Sequence, residues 1–189
     1  MSTLETDTDT TPNLLVCYAS SEGQTERIAR RMADVLSSAG AHVTLADVSE
    51  PLPSLDVGEF DGVILGASVH AGSHQRSATR FVRANRSALE AVPSAFFSVS
   101  LTAAYDDPED RAPAREVLEE FLESTDWNPD ETATIPGALA YSQYSRLKRL
   151  LMRFIAGRAG KDTDTSRDYE YTDWEDVERF ARSFATQVA

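Results

Sequence analysis

The stretch that decides the fold is residues 14–29, which read LLVCYASSEGQTERIA. Residues 14–18 form a continuous apolar run, which is typical of a strand buried on both faces, as in a parallel sheet. From Thr25 onward, apolar residues recur at helical spacing as far as Gly40, where the helix is predicted to end. The pattern therefore predicts a strand, a short polar loop and a helix.

The loop between this strand and helix is suited to a phosphate group. It consists of Ser20, Ser21, Glu22, Gly23, Gln24 and Thr25. The N-terminus of a helix presents unpaired N–H groups and a positive dipole end, and Gly23 allows a tight turn. These features favour a phosphate monoester dianion, held without a basic side chain. A second interpretation stays open: the hydroxyl residues are only helix caps, with Thr25 as the N-cap.

Strands and helices alternate along the rest of the chain. Further strands are predicted over residues 43–48, 62–68, 94–100 and 133–141, and further helices over residues 78–89, 117–122, 147–155 and 174–188. The alternation predicts an α/β fold with a doubly wound parallel sheet, in one domain over residues 13–189. The polar, acidic residues 1–12 are predicted to be a disordered tail.

Ligands of such sheets bind beyond the carboxyl ends of the strands. The site is therefore expected among loops 19–25, 67–75 and 100–112.

The net charge of −13 argues against a nucleic-acid partner. Sixteen of the eighteen basic residues are arginine. This acid-rich, lysine-poor composition favours a halophilic protein from a salt-loaded cytoplasm, because carboxylates hold hydration and salt screens their repulsion. An ordinary acidic protein from a GC-rich genome is the alternative. The sequence has neither a signal peptide nor a long apolar run, and Cys17 is its single cysteine, so a cytoplasmic location is predicted.

One segment is basic in this acidic chain. Residues 132–161 contain no Asp or Glu, and a basic amphipathic helix is predicted over residues 144–158. Its cations include Arg146, Lys148, Arg149 and Arg153. Such a helix is typical of attachment to a membrane surface or a partner. Alternatively, its apolar stripe packs in the core and the arginines form a solvated face.

Residues 20–29 resemble the FMN-phosphate loop of flavodoxin-like proteins. More narrowly, the chain resembles the flavodoxin-like, menaquinone-dependent protoporphyrinogen IX dehydrogenases. The further segments that carry this resemblance are 63–68, 93–99, 136–141, 163–165 and 171–174. The resemblance extends from about residue 14 to residue 184. Only the insertion at residues 105–111 departs from it, because it is acidic where bacterial members of the family are basic.

The resemblance implies a five-stranded parallel sheet in the order 2-1-3-4-5, with helices on both faces. It also implies FMN as the cofactor and oxidation of protoporphyrinogen IX to protoporphyrin IX, in haem biosynthesis, with electrons passed to a quinone. A flavodoxin that only carries electrons, or an NAD(P)H:quinone reductase on the same fold, is the alternative. The extra loop 101–112, the basic helix and the lack of aromatic residues beside the ring favour the enzyme. The alternative use of the basic helix is to bind the propionates of the porphyrinogen.

The resemblance also implies which residues bind FMN. The phosphate would lie on residues 20–25. The ring would lie between two loops, formed by Ala67, Ser68, Val69, His70, Ala71 and Gly72, and by Val99, Ser100, Leu101 and Thr102. His70 would stack on the ring or hydrogen-bond near it, or else be a solvent-exposed loop residue. Residues 66–75 include no Phe, Tyr or Trp, so one ring face would stay open to a substrate. The three histidines lack metal-ligand spacing, so no metal site is predicted.

Overall fold

The computed structural model describes residues 11–139 and 168–188. The predicted tail over residues 1–12, apart from Thr11 and Pro12, lies outside these residues. The predicted basic helix over residues 144–158 also lies outside them.

Five parallel strands form the centre of the structure. They are β1 (Asn13–Ala19), β2 (His42–Asp47), β3 (Gly62–His70), β5 (Ser94–Ser100) and β6 (Glu131–Pro136). Their order is β2-β1-β3-β5-β6. This order confirms the predicted 2-1-3-4-5 sheet, because the two-residue strand β4 (Ser73–His74) only forms a hairpin with β3.

Helices cover both faces of the sheet and divide the core in two. The helices are α1 (Gln24–Ser38), α2 (Arg76–Leu89), α3 (Pro108–Thr125) and α4 (Trp174–Val188). One core cluster joins residues of α1 and α4 to the sheet, and the other joins α2 and α3 to its opposite face. Because both faces are covered, the central strands are continuously apolar, as residues 14–18 predict.

A glycine on β3 makes room for the first of these clusters. A Cβ placed on Gly66 would lie 1.9 Å from the Cζ of Phe97, which is fully buried on the neighbouring strand β5. The ring of Phe97 therefore occupies the space that any other residue at position 66 would need.

The first correction to the predicted elements concerns the loop after β3. Strand β3 continues to His70 and turns at Ala71 and Gly72 into β4. Both turn residues have positive φ, 50° and 77°, as a two-residue hairpin turn of the primed type requires. Residues 67–75 are thus mainly a hairpin rather than an irregular loop.

The second correction concerns the polar stretch after β5. Helix α3 begins at Pro108, well before the predicted residue 117, so the connection is shorter than the predicted loop 101–112. The Asp107 side chain caps the helix by accepting a hydrogen bond from the Glu109 amide (2.8 Å). Proline at the first position and acidic residues in the first turn favour this start.

The third correction concerns the predicted strand 133–141. Strand β6 ends at Pro136, and the chain then passes Gly137 into the short strand β7 (Ala138–Leu139). Strand β7 pairs antiparallel with β8 (Tyr169–Glu170), for which no strand was predicted. We call this two-stranded element, residues 138–139 and 169–170, the ribbon.

Candidate functional site

A cleft of about 570 Å³ lies beyond the carboxyl ends of β1, β3 and β5. Its volume is in the range typical of small-ligand sites. It brings together most of the predicted site residues. The predicted residues that line it are Ser20, Glu22, Gly23, Gln24, Thr25, Ser68, Val69, His70, Val99, Ser100 and Leu101.

The loop between β1 and α1 leaves the helix N-terminus open. Gly23 is the N-cap of α1, with φ of 85°, and no side chain caps the helix. The amide of Gly23 instead donates to the Ser20 hydroxyl oxygen (2.9 Å), which holds the turn. The interpretation that Thr25 is the N-cap is therefore wrong, because α1 begins one residue before it. The N–H groups of the first turn are left for a ligand.

Thr25 carries a buried polar atom without a partner. The residue is 1 % exposed, and its hydroxyl oxygen has no hydrogen-bond partner within the described part of the chain. A buried hydroxyl left without a partner costs about 1–3 kcal/mol. An anion at the N-terminus of α1 would supply the missing acceptor. The lining of the cleft therefore fits a phosphate monoester.

The other wall of the cleft comes from the ends of β3 and β5. Val69 and Leu101 give it an apolar surface, and Ser68 and Ser100 give it small polar groups. His70 also lines the cleft, and its Nε2 atom is buried without a hydrogen-bond partner among residues 11–139 and 168–188. His70 is thus not a freely solvated loop residue.

Some predicted site residues lie outside the cleft lining. These are Ser21, Ala67, Ala71, Gly72 and Thr102. Ala67 is fully buried in β3, and Ala71 and Gly72 are exposed in the hairpin turn. The Thr102 hydroxyl is hydrogen-bonded to the hydroxyl of Ser100, which does line the cleft (3.1 Å).

Ser21 is held outside the cleft by Gln75, a residue that the sequence analysis did not single out. The orientation of the Gln75 amide follows from its neighbours. Its nitrogen donates to the Ala19 carbonyl (2.7 Å), and its oxygen accepts from the Ser21 amide (3.1 Å) and the Ser68 hydroxyl (3.1 Å). Gln75 therefore fixes the phosphate loop against the end of β3.

Further lining residues were missed by the sequence analysis. They are Glu26, Arg27, Arg30, Gly137, Ala138, Asp168, Tyr169 and Glu170. Helical spacing from Gly23 could have indicated Arg27 and Arg30, which are three residues apart on α1. No local sequence signal indicated that residues 137–138 and 168–170 lie at the cleft. Their position depends on the pairing of the two ribbon strands, which are about 30 residues apart in sequence.

The two arginines of the cleft are paired with carboxylates. Arg27 lies 3.2 Å from Glu170, and Arg30 lies 2.7 Å from Glu26. Arg27 also lies over the ring of Trp174, 5.5 Å from its centroid. These exposed pairs contribute little to stability, about 0–1 kcal/mol each. Each pair therefore adds little net charge to the cleft.

His74 packs beside the site rather than in it. Its Nε2 lies 2.9 Å from the Ser98 hydroxyl, and its ring contacts Phe96 and Phe121. Burial lowers the pKa of His74 to about 4, because the charged imidazolium would lose its hydration. His74 is therefore neutral near pH 7.

The described residues offer neither a metal cluster nor a membrane-spanning helix. Residues 11–139 and 168–188 contain no cluster of His, Cys, Asp or Glu that could hold a metal ion. Among the helices of the same residues, none combines the length and the apolar character needed to cross a bilayer.

Comparison with known families adds a direct test of the fold. Residues 15–166 match the sequence profile of a flavodoxin domain. The chain belongs to this flavodoxin-domain family. Flavodoxin 1 from Bacillus cereus has the same fold, with a TM-score of 0.55 and 17% sequence identity over 94% of this chain and 99% of that one.

Closer sequence relatives carry an enzyme name. The chain is 35% identical over 172 residues to the protoporphyrinogen IX dehydrogenase [quinone] of Escherichia coli strain K12. The matched residues are 90% of this chain and 93% of the relative. It is 34% identical over 178 residues to the protein of the same name from Leishmania major, covering 92% of this chain and 75% of that one.

Proposed function

We propose that this protein binds FMN and oxidises protoporphyrinogen IX to protoporphyrin IX, passing the electrons to a quinone. The observation that carries the cofactor assignment is the uncapped N-terminus of α1 beside the buried, unpartnered hydroxyl of Thr25. The observation that supports the reaction is 35% identity over 90% of the chain to a protein named protoporphyrinogen IX dehydrogenase [quinone].

The chain's own residues would bind and orient the cofactor. Ser20 holds the turn at Gly23, so that the amides at the start of α1 and the Thr25 hydroxyl would bind the phosphate. The residues at the ends of β3 and β5 would flank the ring. When bound, FMN would supply the redox chemistry, because its isoalloxazine ring accepts hydride equivalents and passes electrons on.

His70 is the residue best placed to hold a hydrogen bond at the ring. Its Nε2 atom is buried, unpartnered within the described residues, and part of the cleft lining. Of the three interpretations of His70 from the sequence, a hydrogen bond from Nε2 to the cofactor agrees best with this placement. The bond would satisfy a buried polar atom and fix the ring edge.

The walls of the cleft favour an enzyme over an electron carrier. Val69 and Leu101, rather than large aromatic residues, come from the two strand ends that would flank the ring. Small aliphatic walls leave space for a bulky substrate beside the ring.

Anaerobic turnover would test the proposal. FMN-loaded protein is mixed with protoporphyrinogen IX and a soluble menaquinone analogue, and protoporphyrin IX is followed by its fluorescence. We expect formation of protoporphyrin that depends on both FMN and the quinone. Turnover of NAD(P)H with the quinone, without oxidation of the porphyrinogen, would instead favour the quinone reductase. Flavin that is reduced but does not oxidise the porphyrinogen or reduce the quinone catalytically would favour the electron carrier.

The setting of the reaction is also a proposal. Menaquinone dissolves in the membrane, so we propose a cytoplasmic protein that associates peripherally with the membrane through the basic residues of segment 144–158, outside the described residues. Each basic residue near an anionic surface contributes about 1 kcal/mol at ordinary ionic strength. Sedimentation with anionic vesicles should be lost in the double variant Arg149→Glu/Arg153→Glu at low salt. Unchanged sedimentation of this variant would contradict the proposal.

A further inference from the structure

The ribbon is tied to the start of α1 by one buried side chain. Gln24 is 9 % exposed and is the first residue of the helix that carries the phosphate loop. Its amide nitrogen donates to the Thr172 hydroxyl (2.8 Å) and to the Glu170 carboxylate (3.1 Å). Its amide oxygen accepts a hydrogen bond from Arg27 (2.9 Å). All the hydrogen-bonding groups of this buried amide therefore have partners close to the cleft.

The same network continues to the edge of the sheet. The Thr172 hydroxyl donates to the carbonyl of Pro136, the last residue of β6 (2.7 Å). The Tyr171 amide donates to the carbonyl of Gly137 (3.1 Å), and the Gly137 amide donates to the carbonyl of Ser100 (3.0 Å). The end of the ribbon formed by Ala138 and Glu170 is thus fixed both to α1 and to the end of β5.

The ribbon brings an aromatic side chain to the cleft. Tyr169 lies opposite Leu139 in the ribbon and lines the same cleft as Val69, His70 and Leu101. It is the only Phe, Tyr or Trp residue among the described residues that line the cleft. The two strand ends that would flank the ring supply none.

We propose that the ribbon is a third wall of the flavin-ring site, with Tyr169 as its aromatic contact and Gln24 as the residue that positions it. This inference rests on the proposed FMN site. It assigns Gln24 a role different from that of Thr25, although the two are adjacent in sequence. Thr25 acts on the phosphate, whereas Gln24 acts on the ring through the ribbon.

Comparison of two flavins separates these roles. FMN carries the phosphate and riboflavin lacks it, so a residue that acts only on the phosphate affects FMN alone. Affinities are measured by quenching of flavin fluorescence, and folding is checked by circular dichroism. Gln24→Met, of similar size but without the amide, should weaken FMN and riboflavin by the same factor, about tenfold. Thr25→Val should weaken FMN and leave riboflavin unchanged.

Gln187→Met is the matched control. Gln187 also donates through its amide, to Glu131 (3.0 Å), but it is exposed near the end of α4. Its replacement should change neither affinity. Weaker FMN binding with unchanged riboflavin binding in Gln24→Met, or no change in either, would overturn the role of Gln24 in the ring site.

Variants of Tyr169 test the wall without depending on the folding of Gln24→Met. Tyr169→Phe keeps an aromatic ring and should bind both flavins as the wild type does. Tyr169→Leu should weaken both by about fivefold, because stacking is lost. Equal affinities of the Leu and Phe variants would overturn the proposal. If the wild type binds neither flavin, the proposed cofactor itself is wrong, which is a different outcome.

Discussion

Replacing Thr25 by valine should change the stability of the flavin-free protein and its affinity for FMN in opposite directions. Valine has the same shape and the same β-branching, so the helix is not disturbed. In the flavin-free protein the Thr25 hydroxyl is buried without a partner in the described residues, and an unsatisfied hydroxyl costs about 1–3 kcal/mol. Its removal should therefore raise the free energy of unfolding by about 1 kcal/mol. For a domain of this size, that raises Tm by about 2–4 °C.

The affinity for FMN should fall in the same variant. A hydrogen bond to a charged acceptor contributes about 1.5–3 kcal/mol, which corresponds to a loss of about 10- to 150-fold in affinity. Thr25→Ser keeps the hydroxyl and should retain most of the affinity. Thr25→Glu places a carboxylate against the phosphate and should abolish binding. The measurements are thermal unfolding of the flavin-free protein and titration with FMN.

Thr125→Val is the matched control for this substitution. Thr125 is also a buried threonine in a helix, 3 % exposed, but its hydroxyl donates to the Phe121 carbonyl (2.8 Å). Loss of that bond should lower stability by about 0.5–1.5 kcal/mol and leave FMN affinity unchanged. If Thr25→Val also lowers Tm, or binds FMN as tightly as the wild type, Thr25 has a structural role and the phosphate assignment fails.

Three further predictions concern stability. Gly66→Ala should destabilise the protein by about 3 kcal/mol in urea unfolding, because the new Cβ would lie 1.9 Å from Phe97. Gly40→Ala, at a position with φ of 100° but no atom within 4 Å of the new Cβ, should destabilise it by only about 1 kcal/mol. Equal destabilisation by the two substitutions would contradict the packing argument. The pKa of His74 is lowered in the folded protein from 6.5 to about 4, so the unfolded chain binds more protons than the folded protein between these pH values. The free energy of unfolding should therefore decrease as the pH is lowered from about 6.5 to 4. The total decrease in the free energy of unfolding is about 3 kcal/mol, and His74→Gln should lack this decrease at constant salt. Identical pH profiles of stability for the wild type and the variant would refute this prediction. Finally, Tm should rise between low and molar KCl, because salt screens repulsion in a chain of net charge −13; a constant Tm would remove the case for salt adaptation.

The sequence was most informative where structure is decided locally. The apolar run at residues 14–18 predicts β1 because a strand buried on both faces needs side chains that are apolar throughout. Gly23 and the hydroxyl residues around it predict a phosphate loop because the groups that would bind the anion are close together in sequence. All of these residues except Ser21 line the cleft.

The elements that were misjudged have weak or conflicting local signals. The hairpin turn at Ala71 and Gly72 includes an alanine with positive φ, which local preference disfavours. Helix α3 contains Pro113, which interrupts the helical pattern, although Asp107 and Pro108 provide a strong start. In both cases the pairing or packing of the element outweighs the local preference of a single residue.

By itself, the sequence determined the alternation of the five main strands with helices and the loop suited to a phosphate, because each of these signals comes from residues close together along the chain. The parallel sheet was inferred from that alternation. Only the tertiary structure decided which side chains share the cleft. Gln24 and Glu170 are 146 positions apart, yet their side chains lie within hydrogen-bonding distance. No local pattern encodes such a contact, because it follows from the packing of α4 beside α1 and from the pairing of the ribbon strands.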